Sequence, residues 1–170
     1  MIEQGKRGNN FPMENLSKNQ IIVVCFGTPS VSGDALGPKV GSILVDKFNL
    51  PCFVYGTLLH PVTAKNKGEY VDFVKAVHKG ATVVSVDASL GKKDKIGCFT
   101  VREDGVCPAG IKGEKSRFGD VGLLGVVGEK CDDNMLSLLT AKADDVSKLA
   151  YKMAIVIKTA IESILVAPTI

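Results

Sequence analysis

Short apolar runs rich in β-branched residues alternate along this chain with longer segments whose apolar residues recur every three or four positions. The first run, Ile21–Phe26, is apolar throughout, which is typical of a strand buried on both faces of a parallel sheet. Similar runs predict four more strands, at Cys52–Tyr55, Thr82–Val86, Ile96–Val101 and Val121–Val127. Five strands of this kind constrain the chain to fold around a sheet.

The segments between these strands have the periodicity of amphipathic helices. One covers about residues 37–48, with Pro38 in its first turn, where the missing N–H of proline costs no helical hydrogen bond. A second covers Ala64–His78, and residues 132–165 are mostly helical with a break near Ala141–Asp145. Strand, helix, strand, helix, strand predicts right-handed βαβ units, and hence a three-layer α/β/α sandwich with a mostly parallel sheet.

Length and composition favour one globular domain. The chain has 170 residues, and residues 1–20 are polar without apolar periodicity, so we predict a flexible N-terminal arm followed by a single domain over residues 21–170. The net charge is +3 and the basic residues form no long run, which argues against nucleic acid or an anionic membrane as a partner. The six-residue run Ile21–Phe26 is too short to span a membrane, so the sequence predicts a soluble, cytoplasmic protein.

The cysteines predict neither a disulfide framework nor a zinc site. There are five of them, an odd number, and they are widely spaced without a CxxC pair or a close histidine. We therefore interpret them as small buried side chains in a reducing compartment, and expect no cofactor.

Two aspartates follow the first and third strands, which are neighbours in most strand orders of doubly wound sheets. Asp34 comes after the first strand, in a loop that ends at the start of a helix, and Asp87 comes directly after the third strand. Ligands of open α/β sheets bind at the carboxyl ends of such strands, so both carboxylates should face one crevice. They could share a proton in general acid–base catalysis, or bind a divalent metal. The plainer alternatives are a helix N-cap for Asp34 and a strand-end turn residue for Asp87.

Hydroxyl side chains near these carboxylates are candidates for binding a substrate. Thr28 and Ser32 belong to the loop that carries Asp34, and Ser89 lies two residues beyond the second aspartate. The loop has neither the Gly-Lys-Ser/Thr ending of a phosphate-binding loop nor the spacing G-x-G-x-x-G. The sequence therefore predicts a polar pocket there, without nucleotide binding.

Two further side chains could reach the same crevice. His60 follows the second strand, although a histidine on a surface loop would produce the same pattern. Lys115 lies in a Gly-rich, charged stretch, where it could orient a substrate carboxylate or remain solvated. His78, near the end of a predicted helix, is expected to interact with the helix dipole.

Several blocks of residues, in order and at matching spacing, resemble the YyaC family of sporulation proteins. They are Phe26–Thr28, Ser32–Gly41, Val54–Leu58, Pro61-Val62, Ala64 with Asn66, Val86–Gly91 and, more loosely, Pro108–Gly110 and Val121–Gly128. That family is similar to the spore germination protease and, more distantly, to hydrogenase maturation proteases. The resemblance implies a hydrogenase-maturation-protease-like (phosphorylase/hydrolase-like) α/β fold.

The resemblance also implies roles for the two aspartates. Asp34 and Asp87 match the catalytic pair of the germination protease, whereas in hydrogenase maturation proteases acids at these places bind nickel together with a later histidine. This chain has no histidine after His78, which favours a carboxylate pair over a metal site. It also departs from the family pattern at Thr63, where a histidine is expected, and in the charged stretch Ile111–Arg117.

The leading expectation is a sporulation-associated, peptidase-like hydrolase that cleaves a protein or peptide by means of Asp34 and Asp87, in the cytoplasm of the spore or forespore. One alternative is a non-catalytic sporulation protein that uses the fold as a binding module. Another is a metal-dependent hydrolase in which the two aspartates are ligands. Apolar residues on the last helix could support a homodimer.

Overall fold

Residues 20–108 and 117–166 are described by the structure, a computed structural model of the chain. Their five strands form one sheet in the order β2-β1-β3-β5-β4. The strands are β1 (Ile21–Cys25), β2 (Phe53–Tyr55), β3 (Thr82–Gly91), β4 (Phe99–Arg102) and β5 (Val121–Glu129). All neighbouring pairs are parallel except β4 with β5. The predicted mostly parallel sheet is confirmed, as is the adjacency of the first and third strands.

Four α-helices of the described residues accompany the sheet. They are α1 (Leu36–Ser42), which continues into a π-helical turn at Ile43–Lys47, α2 (Lys67–Val77), α3 (Asn134–Thr140) and α4 (Ala143–Val166). The break predicted near residues 141–145 separates α3 from α4. The buried stripe of α4 has the predicted spacing of three or four: Val146, Leu149, Ala150, Met153, Ile157, Ile161 and Ile164.

The side chains of β1 alternate between two hydrophobic cores, one on each face of the sheet. Ile21, Val23 and Cys25 belong to the core shared with α1 and α4, whereas Ile22 and Val24 belong to the core on the side of α2. All five are buried, because both faces of this central strand are covered. This is the three-layer α/β/α sandwich, and it explains why the run is apolar at every position.

The third strand is longer than its sequence predicts. It continues past Val86 to Gly91, since it pairs with β5 along its whole second half, with a register shift between Ser89 and Leu90. Asp87 therefore lies inside β3 and not in a turn at its end, which corrects the prediction. The fourth strand begins at Phe99 rather than Ile96, because Gly97 adopts a left-handed conformation (φ +84°) after a short 3₁₀ turn.

Within the described ranges, none of the helices combines the length and the apolar character needed to cross a membrane. Nearly all of the predicted N-terminal arm, residues 1–19, and Lys115 lie outside the described residues.

Candidate active site

The loop between β1 and α1 carries Asp34, and its shape depends on Gly27. Gly27 has φ +144°, and a Cβ there would overlap the main-chain oxygen of Asp34 and touch Pro38. Only glycine lets the returning loop approach the end of the strand this closely. The main-chain N–H of Thr28 donates a 2.6 Å hydrogen bond to Oδ2 of the half-buried Asp34. The carboxylate is thus held over the carboxyl end of β1.

Asp34 does not cap the following helix. The N-cap position of α1 is Ala35, and no side chain accepts a hydrogen bond from the first turn. The hydrogen bond from Thr28 instead turns the carboxylate back toward the strand. The helix N-cap interpretation of Asp34 is therefore wrong, and its carboxylate closes a loop.

Asp87 lies beside the end of β1. The N–H of Phe26 donates to the carbonyl of Val86 at 2.8 Å, so the loop that carries the first aspartate leaves the sheet next to the second. Asp87 is only 4% exposed, and its Oδ1 accepts a 2.8 Å hydrogen bond from the N–H of Ala88. A carboxylate this buried in a strand is costly, which makes it a candidate for chemistry.

The thiol of Cys25 lies near Asp87, because Cys25 pairs with Val86 across the two strands. Burial raises the pKa of the Cys25 thiol well above its usual range, and Cys52 and the Asp87 carboxylate raise it further. Cys25 therefore stays protonated and unreactive at the end of the strand. We assign it no nucleophilic role.

Two of the predicted substrate-binding hydroxyls are engaged with the main chain. The Oγ of Ser32 donates to the carbonyl of Ala141 at 2.6 Å, and the Oγ of Ser89 donates to the carbonyl of Gly125 at 3.3 Å. The N–H of Gly33 also donates to the carbonyl of Leu138 at 2.8 Å. The loop is thus fastened to α3 and to the junction before α4.

His60 lies in a separate pocket. It is exposed in the loop after β2, and it lines a pocket of about 350 Å³ whose lining includes neither Asp34 nor Asp87. Most of this pocket is not predictable from the sequence, since residues from α1, β2 and α2 come together only in the folded chain.

His78 is the C-cap residue of α2, as predicted for the end of this helix, and its ring lies in an aromatic cluster. Its ring is buried, and its Nε2 is 2.7 Å from the hydroxyl of Tyr55. Burial and the nearby Tyr70 raise the pKa of Tyr55. The hydrogen bond to His78 holds the Tyr55 ring in place.

The described residues do not assemble a metal site. Within residues 20–108 and 117–166, no three side chains of His, Cys, Asp or Glu converge as a metal ion requires. Among these described residues, Asp34 and Asp87 are therefore not joined by a third side chain of this kind.

Solved structures of other proteins share the fold of this chain. One solved structure, the [NiFe] hydrogenase maturation protease HycI from Thermococcus kodakarensis KOD1, aligns with a TM-score of 0.52 at 16% identity, over 84% of this chain and 92% of HycI. A peptidyl-tRNA hydrolase solved in complex with N-propanol aligns with a TM-score of 0.59 at 12% identity, over 87% of this chain and 89% of that one. At such identities the likeness shows a common fold, which agrees with the predicted fold class.

Sequence comparison identifies relatives. YyaC of Bacillus subtilis (strain 168) is 37% identical over 108 residues, which are 63% of this chain. The match covers 53% of YyaC, so the chain spans about half the length of that relative. The family described as "Protein of unknown function (DUF1256)" matches residues 8–159. This protein therefore belongs to the DUF1256 family, as its resemblance to YyaC predicted.

Proposed function

We propose that this protein is a peptide-bond hydrolase in which Asp34 and Asp87 together activate water against a protein substrate. The observation that carries the proposal is the hydrogen-bonded junction at the end of β1. The main-chain N–H of Phe26 donates a hydrogen bond to the carbonyl of Val86, the residue before Asp87. The N–H of Thr28, two residues after Phe26, donates to the carboxylate of Asp34. One acid lies in the loop that follows β1 and the other is buried in the adjacent strand β3, an arrangement that suits two carboxyl groups holding one proton.

The proposed reaction needs only these two groups and water. The ionised carboxylate takes a proton from water as its oxygen bonds to the carbonyl carbon of the substrate. The protonated carboxyl donates its proton to the amide nitrogen as the C–N bond breaks, giving a new carboxyl terminus and a free amine. The pair ends with the proton on the other carboxylate, so proton exchange with solvent restores the starting state.

The solved neighbours make peptide hydrolysis the activity to test first. Both are hydrolases by name, but only their fold carries over at 12–16% identity. A substrate bearing tRNA suits this chain less well than a protein, because the net charge is only +3 and the basic residues are scattered. We also propose, from the resemblance to YyaC alone, that the protein acts in sporulation. A fluorescent fusion in a sporulating host should then appear in the forespore.

The experiment is a mass-spectrometric digest of a defined peptide library. The wild type should cleave at recurrent sites, and Asp34→Asn and Asp87→Asn should each slow cleavage by at least about a hundredfold. Asp94→Asn removes the same charge at an exposed position outside the site and should cleave normally. Equal cleavage by all four proteins, or none by the wild type, would refute the proposal.

A second candidate is a protein-binding module, favoured by the surface of α3. Met135, Leu136 and Leu139 are each more than half exposed on this helix, which is joined to the Asp34 loop. A binding module would keep its interactions in both asparagine variants. Loss of function in those variants with unchanged folding separates the two candidates.

A further inference from the structure

The pocket at the carboxyl end of β2 is formed by three elements. Its walls come from the end of α1 and its π-helical turn, from β2 with the following loop, and from α2. The volume is about 350 Å³, enough for one long side chain of a peptide. The lining residues are Ser42, Val45, Asp46, Val54, Tyr55, Gly56, Thr57, Leu59, His60 and Tyr70.

Close backbone contacts hold the pocket in shape. A Cβ at Gly41 in α1 would overlap the main-chain oxygen of Gly56, so the helix lies directly against the loop. The N–H of Leu58 donates to Ser42 Oγ at 3.0 Å, and the N–H of His60 donates to Thr57 Oγ1 at 3.1 Å. The loop is thus attached to α1 and held by its own hydrogen bond before any ligand arrives, which lowers the entropy cost of binding.

Two tyrosine rings form one wall. The Tyr55 and Tyr70 ring centroids are 6.2 Å apart and the ring planes are inclined by 61°. The hydroxyl of Tyr55 is anchored on His78, so its ring has a fixed orientation. Aromatic faces attract cations, and arginine most readily because its planar guanidinium stacks on them.

A carboxylate also lines the pocket. Asp46 is exposed on the π-helical turn, and its side chain forms no hydrogen bond or ion pair with any other residue in the described ranges. The amino groups of Lys47 and Lys67 contact groups other than Asp46. Nζ of Lys47 lies 4.4 Å from the centre of the Tyr151 ring, and Nζ of Lys67 donates to the carbonyl of Pro108 at 3.0 Å. The negative charge of Asp46 is therefore available to a ligand.

We propose that this pocket binds an arginine or lysine side chain of a peptide. The methylene stem would lie along Val45, Val54 and Leu59, with the cationic end between the tyrosine rings and Asp46. This inference rests on the proposed function for its biological meaning, since the pocket would select a side chain away from the cleaved bond. The binding itself needs neither Asp34 nor Asp87 and can be measured when cleavage fails.

The test is an NMR titration of the full chain with three capped amino acids: Nα-acetylarginine methylamide, its neutral isostere Nα-acetylcitrulline methylamide, and the norleucine analogue. The arginine probe should shift the amide signals of Tyr55, Gly56, Thr57 and His60 and bind more tightly than citrulline. Asp46→Asn should weaken arginine binding about two- to fivefold, as expected for an exposed ion pair, and leave citrulline binding unchanged.

Two controls keep the outcome interpretable. Asp94→Asn changes the net charge equally but lies outside the pocket, so it should bind the arginine probe as the wild type does. Asp34→Asn should also bind it normally, even if it abolishes cleavage. Equal binding of arginine and citrulline, an Asp46→Asn variant that binds arginine unchanged, or shifts confined to another surface would each overturn the proposal.

Discussion

The main-chain N–H of Thr28 lies 2.6 Å from Oδ2 of Asp34 and donates a hydrogen bond to it. The bond joins two residues six positions apart, and the return of the chain between them is possible because Gly27 has no side chain. Asp34 is therefore held against the strand that it follows, beside the strand that contains Asp87. This single contact links the stability of the loop to the geometry of the proposed site.

Replacing Asp34 should separate its structural from its chemical role. Asp34→Asn keeps a side-chain oxygen for the Thr28 N–H, so we expect the free energy of unfolding to change by less than about 1 kcal/mol. Asp34→Ala leaves that N–H without its acceptor and should cost about 1–3 kcal/mol. Urea unfolding of both variants measures the difference. Equal losses in the two would show that the hydrogen bond does not stabilise the loop.

Gly27→Ala should disrupt the loop itself. The added Cβ would overlap the Asp34 main chain at a φ of +144°, so we expect a loss of about 2 kcal/mol or more in the free energy of unfolding. Gly68 in α2 is the matched control, because a Cβ there meets nothing within 4 Å. Gly68→Ala should stabilise the protein by about 0.4–1 kcal/mol. Thermal and urea unfolding would detect the opposite signs, and a tolerated Gly27→Ala would contradict this account of the loop.

Ser32→Ala should loosen the attachment of the loop to the helices. It removes the 2.6 Å hydrogen bond to the carbonyl of Ala141, which should cost about 1 kcal/mol. Ser30 is exposed in the same loop, and Ser30→Ala should change stability by less than about 0.5 kcal/mol. The comparison is made by urea unfolding. If the two variants unfold alike, Ser32 does not anchor the loop.

The free energy of unfolding should fall in alkaline solution, because the thiol of Cys52 loses its proton more readily in the unfolded chain. Burial raises the pKa of its thiol from 9.0 to about 11, so the folded protein holds this proton more tightly than the unfolded chain. Its contribution is complete below pH 9 and is lost as the pH rises toward 11. Cys52→Ala should therefore show a shallower decline in the free energy of unfolding as the pH rises from 9 to about 11. Parallel declines would show that the thiol does not contribute.

The sequence predicts a strand of the sheet well where every side chain of that strand is apolar. Every residue of Ile21–Cys25 is apolar because both faces of β1 are covered, and the pattern needs no tertiary information. The sequence pattern does not predict the second half of β3 as a strand, because Asp87 and Ser89 are polar. Its strand structure depends on pairing with β5, a contact between residues more than 35 positions apart, which local periodicity does not encode.

Some features of the candidate site are also predictable from the sequence, and others are not. The topology rule for parallel sheets correctly predicted that the strands followed by Asp34 and containing Asp87 are neighbours. The hydrogen bonds of Ser32 and the pocket that includes Asp46 and Tyr70 were not predictable. They depend on how α1 and α3 pack over the loops, through glycines and backbone carbonyls that have no sequence signature.

The most direct test of the central claim is whether Asp34 and Asp87 act as one unit. The cleavage rate of a library-derived peptide is measured for the wild type, Asp34→Asn, Asp87→Asn and the double variant. If the two carboxylates share one proton, the double variant should be about as slow as the slower single variant, because either change already removes the pair. Losses that multiply in the double variant would show two independent groups and contradict the paired mechanism.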